Sequence, residues 1–148
     1  MLTRLRRSAR AQAREATILR APAEDLPFED DSFDVAVSAL VLCGVSDQPR
    51  AVRELRRVLR PGGTLLFLEH VRSDDPATAR LQDRLNWLNH LVVCCDCNRP
   101  TLRTIQEAGF TVTRLERTAL PKAPKFVSPA AIGAATAPAR DRDLTPQG

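Results

Sequence analysis

Two stretches decide the fold: Asp34-Val35-Ala36-Val37-Ser38-Ala39-Leu40-Val41-Leu42 and Thr64-Leu65-Leu66-Phe67-Leu68-Glu69-His70. Each is nearly continuous apolar sequence without helical spacing, the pattern of a strand buried on both faces of a parallel sheet. Between them, Ser46 and Asp47 are helix N-cap candidates with Pro49 in the first turn. Val52, Leu55, Val58 and Leu59 then share one face, opposite Arg53, Glu54 and Arg57, and Pro61-Gly62-Gly63 stops the helix. Strand, helix and strand at this spacing form a βαβ unit with a right-handed crossover.

Upstream, Thr17-Ile18-Leu19 reads as a short strand, and the prolines at 22 and 27 stiffen the loop that follows. Met1 to Ala13 carries Leu2, Leu5, Ala9 and Ala13 on one face, with Arg4, Arg6, Arg7, Arg10 and Arg14 around it. That is a helix covering one face of the sheet, or else a presequence or membrane-surface helix. Downstream, Asp75 and Pro76 open a helix to about Val93, with Leu81, Leu85, Leu88 and Val92 as its inner face. Pro100 and Thr101 start a short helix that ends at Gly109. Phe110 to Thr118 alternates as a strand with one exposed face, and Phe126 to Ala135 supplies a partner. One domain is expected over residues 1–137, with a polar, disordered tail over 138–148.

The bulk properties exclude several classes. The chain has 148 residues, 43% hydrophobic but only 4% aromatic, so the core is aliphatic. The net charge of +4 comes almost wholly from arginines interleaved with acids, and no aromatic cluster accompanies them, so nucleic acid is not the expected partner. No run of about 20 apolar residues is present, and no apolar segment follows the basic amino terminus; the default location is cytoplasmic. A disulfide framework is not expected from Cys43, Cys94, Cys95 and Cys97 in such a chain. Cys94 and Cys97 have a Cys-x2-Cys step, with His90 one turn earlier, but no second pair completes a zinc site, so no metal is expected. Cys95 reads as a buried small hydrophobe. The acidic clusters Glu29-Asp30-Asp31 and Asp74-Asp75 read as solvated turns or helix caps.

The run Ala23-Glu24-Asp25-Leu26-Pro27-Phe28, then Ser32-Phe33-Asp34-Val35, then Leu59-Arg60-Pro61-Gly62-Gly63-Thr64-Leu65, resembles the ubiquinone/menaquinone-type class I S-adenosylmethionine-dependent methyltransferase domain. Leu40-Val41-Leu42-Cys43, Phe67-Leu68-Glu69-His70-Val71, Cys95 four residues before Arg99, and Pro121-Lys122-Ala123-Pro124-Lys125-Phe126 narrow it. They are similar to the group of microsomal thiol S-methyltransferases and bacterial proteins labelled phosphatidylethanolamine N-methyltransferases. The resemblance covers about Met1 to Ala135.

It implies an α/β fold with a Rossmann-like sheet, helices on both faces, and strand order third, second, first, fourth, fifth, seventh, sixth. The family's opening strand, its Gly-x-Gly-x-Gly turn and its second strand with the ribose-binding acid have no counterpart here; no Gly-x-Gly occurs in the chain. The expectation is a partial sheet without the first two strands, which holds cofactor weakly and leaves Val35 to Leu42 as an edge open to self-association.

By resemblance the cofactor is S-adenosylmethionine. Ala23 and Glu24 match the loop along the adenine, with Pro22 where the family often has aspartate. Ala39, Leu40 and Leu42 match the strand end where the methionine part rests; core packing is the other reading, most of all for Leu40 and Leu42. Glu69 and His70 end a strand on the edge where α/β ligands bind. His70 is either a base toward a thiol or amine, or a hydrogen-bonded structural residue. The implied acceptor is a small-molecule thiol or a lipid-like amine, which leaves room for peripheral membrane contact. A non-catalytic fragment or interaction module is the alternative, as is a half-site completed by another chain. A nicotinamide-dependent dehydrogenase would need the missing glycine turn.

Overall fold

The computed structural model describes residues 17–139. The helix expected over Met1 to Ala13 and most of the expected tail lie outside them. The described elements run β1 (Phe33–Ala39), α1 (Gln48–Val58), β2 (Leu59–His70), α2 (Pro76–Val93), α3 (Thr101–Glu107), β3 (Thr111–Ala119) and β4 (Pro129–Thr136). They build a four-stranded sheet in the order β1-β2-β4-β3. β1 and β2 are parallel, while β4 runs antiparallel to both β2 and β3. Fourth, fifth, seventh, sixth is the part of the expected order that these strands represent.

Local chemistry sets the helix ends. Asp47 caps α1 by accepting from the Arg50 backbone N–H at 3.0 Å, and Asp75 caps α2 by accepting from Thr78 N–H at 2.8 Å. Gly109, at φ 93°, turns the chain out of α3, a conformation that glycine adopts without a Cβ penalty.

The core lies between the sheet and two helices. Val52 and Leu55 of α1 and Ile105 of α3 pack with Leu59, Leu65, Phe67, Ala131 and Ala135. These strand residues share one face of the sheet with Ser38 and Glu69. On the other face Val35, Val37, Leu66 and Ile132 are exposed, Val37 to 70%. The second covering layer was to come in part from residues 1–13, outside the described region.

Several boundaries and faces differ from expectation. Thr17-Ile18-Leu19 is not a strand; no described strand lies beyond β1 for it to join. β1 stops at Ala39 rather than Leu42, because Leu40 takes φ 54° and Val41 to Gly44 form a turn. Nor is β1 buried on both faces. β2 begins at Leu59, with Pro61 to Gly63 inside it, because Gly62 donates to Ala137 O and Gly63 O accepts from Ala137 N–H.

The inner face of α2 is the largest correction. Leu81, Leu88 and Val92 are exposed, whereas Ala79, Gln82 and Asn89 are buried. The reason is hydrogen bonding. The loops beneath this helix present carbonyls that need donors, and Gln82 Nε2 donates to Val71 O at 3.2 Å and Cys97 O at 2.8 Å while its Oε1 accepts from Ser73 N–H. Leu55→Ala, at a half-buried site against the core, is therefore expected to cost about 2 kcal/mol, and Leu88→Ala less than about 1 kcal/mol. Urea unfolding of both variants checks this; equal losses would mean that α2 is rotated.

The acidic loop before β1 is braced by α1. Arg57 donates to Phe28 O, Leu26 O and Asp30, and pairs with Glu54, which also accepts from Leu26 N–H at 2.9 Å. The hydrogen bond from Arg57 holds the Glu54 carboxyl at about 2, well below its ordinary range. A depressed folded-state pKa stabilises above the unfolded value, and that stability is lost as pH falls from about 4.5 through about 2. Glu54→Gln should cost about 1–2 kcal/mol at pH 7, less than full linkage because Arg57 stays solvent-accessible. The gap to the parent chain should narrow below about pH 4.5 and close only below about pH 2 in urea titrations; a pH-independent gap would contradict the brace.

Candidate functional site

The carboxyl ends of β1 and β2 lie side by side and feed three connections into one region. The turn after β1 is held by its neighbour: Leu40 N–H donates to Leu68 O at 2.7 Å, and Val41 N–H donates to Glu69 Oε1 at 3.0 Å. The same Oε1 accepts from Ser38 Oγ at 2.6 Å. Glu69 is thus fully buried between the strands, and its Oε2 has no hydrogen-bond partner. This carboxylate braces the turn from beneath.

The loop before β1 is tied to the same region. Glu24 Oε1 accepts from the Ser46 and Asp47 N–H groups at 2.8 and 3.2 Å, and these bonds, Asp47 first, lower its pKa. Half-buried Ala23 packs against the core beside it. Ala39 and Leu40 are exposed at the strand end, whereas Leu42 is sealed in the core, its carbonyl taking Gln48 Nε2 at 3.0 Å. Among the five residues matched to a cofactor, Ala23, Ala39 and Leu40 stay accessible and apolar. At the carboxyl edge of a parallel pair, such a lining suits the uncharged parts of a nucleoside sulfonium cofactor. Glu24 is committed to the loop clamp, and Leu42 belongs to the core.

On the other side of the turn lies a cavity of about 650 Å³. Leu40, Leu88, Val92, Phe126 and Val127 give it apolar walls, and His70, Cys43 and Cys95 form its polar end. The exposed leucine and valine of α2 are thus wall residues. Three connections deliver the polar end: Cys43 follows β1, His70 ends β2, and Cys95 follows α2. Asp96 N–H donates to Cys43 O at 2.8 Å, Thr101 Oγ1 donates to His70 O at 3.1 Å, and Asn89 Nδ2 donates to Cys95 O.

His70 is buried, and its Nδ1 has no hydrogen-bond partner. The Cys95 thiol hydrogen-bonds toward Cys43 and holds the latter's pKa below the ordinary thiol value. That bond and burial push Cys95 up. Only one thiolate forms readily in so small a space.

His90, Cys94 and Cys97, whose spacing began a zinc pattern that the sequence did not complete, are not brought together. His90 pairs with Asp96 at 3.0 Å, Cys94 is exposed at the end of α2, and Cys97 is buried beside Asn86. Asp75 serves as a cap, Asp74 pairs with Arg117 and Asp30 with Arg57. Sequence reasoning missed the buried glutamines: Gln48 bonds Thr101 and Thr104, as Gln82 bonds its own loops. Their only signal was a polar residue interrupting an apolar helix face.

Comparison with known proteins follows this geometry. A family model described as a methyltransferase domain matches residues 1–67. The chain is 38% identical over 101 residues to the human thiol S-methyltransferase TMT1B, covering 66% of this chain and 41% of that protein. It is 46% identical over 65 residues to the ubiquinone/menaquinone biosynthesis C-methyltransferase UbiE of Hahella chejuensis, covering 44% of this chain and 26% of that protein. The chain thus spans less than half the length of these relatives. An S-adenosylmethionine-dependent methyltransferase of known structure from Mesorhizobium loti superposes with a TM-score of 0.58 at 20% identity, over 87% of this chain and 74% of that one; this is a likeness of fold. No described helix is long and apolar enough to cross a membrane.

Proposed function

We propose that this chain, a member of the class I S-adenosylmethionine-dependent methyltransferases by its likeness to the relatives above, forms the acceptor side of a methyl-transfer site for a small thiol, with a lipid-like amine as second choice. The observation that carries this reading is the apolar cavity with His70, Cys43 and Cys95 at its polar end. Apolar walls take up an uncharged alkyl body, and the polar end receives its nucleophilic atom. The bound cofactor supplies a sulfonium methyl that is already electrophilic. What remains for the protein is alignment and exclusion of water. Ala23, Ala39 and Leu40 would flank the cofactor, Glu69 would hold the Leu40–Val41 turn in place, and His70 would meet the acceptor.

The likeness to a thiol S-methyltransferase supports a thiol over an amine. The test is transfer of a labelled methyl group from S-adenosylmethionine to hexanethiol and, in parallel, to hexylamine. Thiol methylation is expected to be weak and to rise with cofactor concentration, since the chain holds no Gly-x-Gly turn, and Val92→Arg should lower it by about tenfold or more by filling the cavity. Val92 is 71% exposed, so the fold tolerates the change. Methylation of neither acceptor, or thiol methylation indifferent to Val92→Arg, would overturn the reading. Self-association through the outer edge of β1 accompanies it as a proposal; light scattering that shows a monomer at every concentration would refute that part.

A further inference from the structure

The polar end of the cavity holds a donor set that the sequence does not display as a motif. One ligand atom each of Cys43, His70 and Cys95 lies within 4.8 Å of the other two. We propose that these three residues form a zinc site whose fourth position opens into the cavity and takes a thiolate. The proposal deepens the acceptor reading above and rests on it for the identity of the fourth ligand.

The chemistry of the donors comes first. Two cysteine sulfurs and one imidazole are a soft set, and three protein ligands with one open position are the arrangement of a reactive zinc centre rather than a closed structural one. Tetrahedral zinc with Zn–S near 2.3 Å separates its sulfurs by about 3.7 Å, so the site needs a closure of about 1 Å at most. The second observation is His70 itself. It is more than nine-tenths buried at the polar end of the cavity, and its Nδ1 has no hydrogen-bond partner, so the imidazole is not held by another group and is left to take a ligand. A Cys43–Cys95 disulfide would use only the two sulfurs; zinc uses all three side chains.

The scaffold holds the donors before any ion arrives. The backbones of the first and third connections are joined by Asp96 N–H to Cys43 O, and Gly44 lies so close to Cys94 O that an added Cβ would meet it at 3.1 Å. Gln48 and Arg99 both donate to Leu42 O, just before Cys43. Each ligand therefore sits on backbone fixed from outside the site. Because the trio lines the cavity, an incoming alkyl thiol would direct its sulfur to the metal. Zinc binding releases the Cys43 and Cys95 thiol protons to solvent; when the alkyl thiol then binds, its S–H proton leaves to solvent too, and its sulfur keeps the electron pair as the fourth ligand.

The test uses the full chain, purified with a reductant, loaded with zinc and then dialysed. About one equivalent of zinc should remain. Cobalt loaded in its place should show sulfur-to-cobalt charge transfer and tetrahedral visible bands, which hexanethiol shifts. Cys43→Ser and Cys95→Ser should each weaken retention by about tenfold or more, while Cys94→Ser and Cys97→Ser leave it unchanged. The cobalt spectrum of the parent chain keeps the proposal testable if a cysteine variant fails to fold. Retention of less than about a tenth of an equivalent would overturn it. So would retention that survives both Cys43→Ser and Cys95→Ser, or a Cys43–Cys95 disulfide that persists in reductant. Metal retention is read without a methyl donor, so its failure is distinct from failure of the methyl-transfer reading.

Discussion

Gly133→Ala is expected to destabilise this chain by about 3–4 kcal/mol, a large part of the stability of a small domain. Gly133 sits in β4, opposite Phe67 of β2 on one side and Leu115 of β3 on the other. A Cβ there would overlap Phe67 Cζ and meet the Arg114 carbonyl oxygen at 2.5 Å. The ring is itself nearly fully buried, and the carbonyl belongs to the neighbouring strand, so neither can step aside cheaply. Thermal unfolding should fall by about 10 °C. Gly62→Ala is the control: Gly62 has φ 75° but nothing within 4 Å of an added Cβ, so only backbone strain of about 1 kcal/mol is expected. Equal losses at the two glycines would mean that the Phe67 ring does not lie over β4.

Glu69→Ala should cost about 2–4 kcal/mol, because it strips the acceptor from both Ser38 Oγ and the Val41 N–H. Glu69→Gln keeps an oxygen in place of Oε1 and should cost about 1 kcal/mol or less. The pair separates two roles. A carboxylate that only positions the Leu40 turn leaves methyl transfer in Glu69→Gln within about threefold of the parent chain, whereas one that moves a proton loses about a hundredfold or more. The positioning result is expected, since the side chain is enclosed between β1 and β2. An unchanged melting temperature in Glu69→Ala would sink the brace argument.

Much of the fold was legible because its causes are local. The apolar runs around Val35 and Leu65, the caps at Asp47 and Asp75, and the exit at Gly109 act within a few residues of where they are written. The fold class and the strand order of the second half of the sheet followed from them and from the resemblance. Face assignment failed on α2, where leucines occupy more than one side. Periodicity ranks hydrophobicity, but Gln82 and Asn89 won the inner side by satisfying loop carbonyls that the sequence does not announce.

The candidate site divides in the same way. Its position at the carboxyl ends of β1 and β2 was implied once a βαβ unit was recognised, and His70 and Glu69 were found by their place at a strand end. Their separation was not. Neighbours in sequence, they point to opposite faces of β2, so one lines the cavity and the other is shut between strands. The spacing of His90, Cys94 and Cys97 offered only part of a ligand set, legible because they are close in the chain. Cys43, His70 and Cys95 are close only in space, each delivered by a different connection. The helices with their caps, and the existence of the main strands, were thus determined by the sequence alone through interactions between near neighbours, whereas the ends of β1 and β2 were set by the distant partners Leu68, Glu69 and Ala137. Which side chains meet was decided by the sheet register and loop hydrogen bonds, because these join residues that the chain keeps far apart.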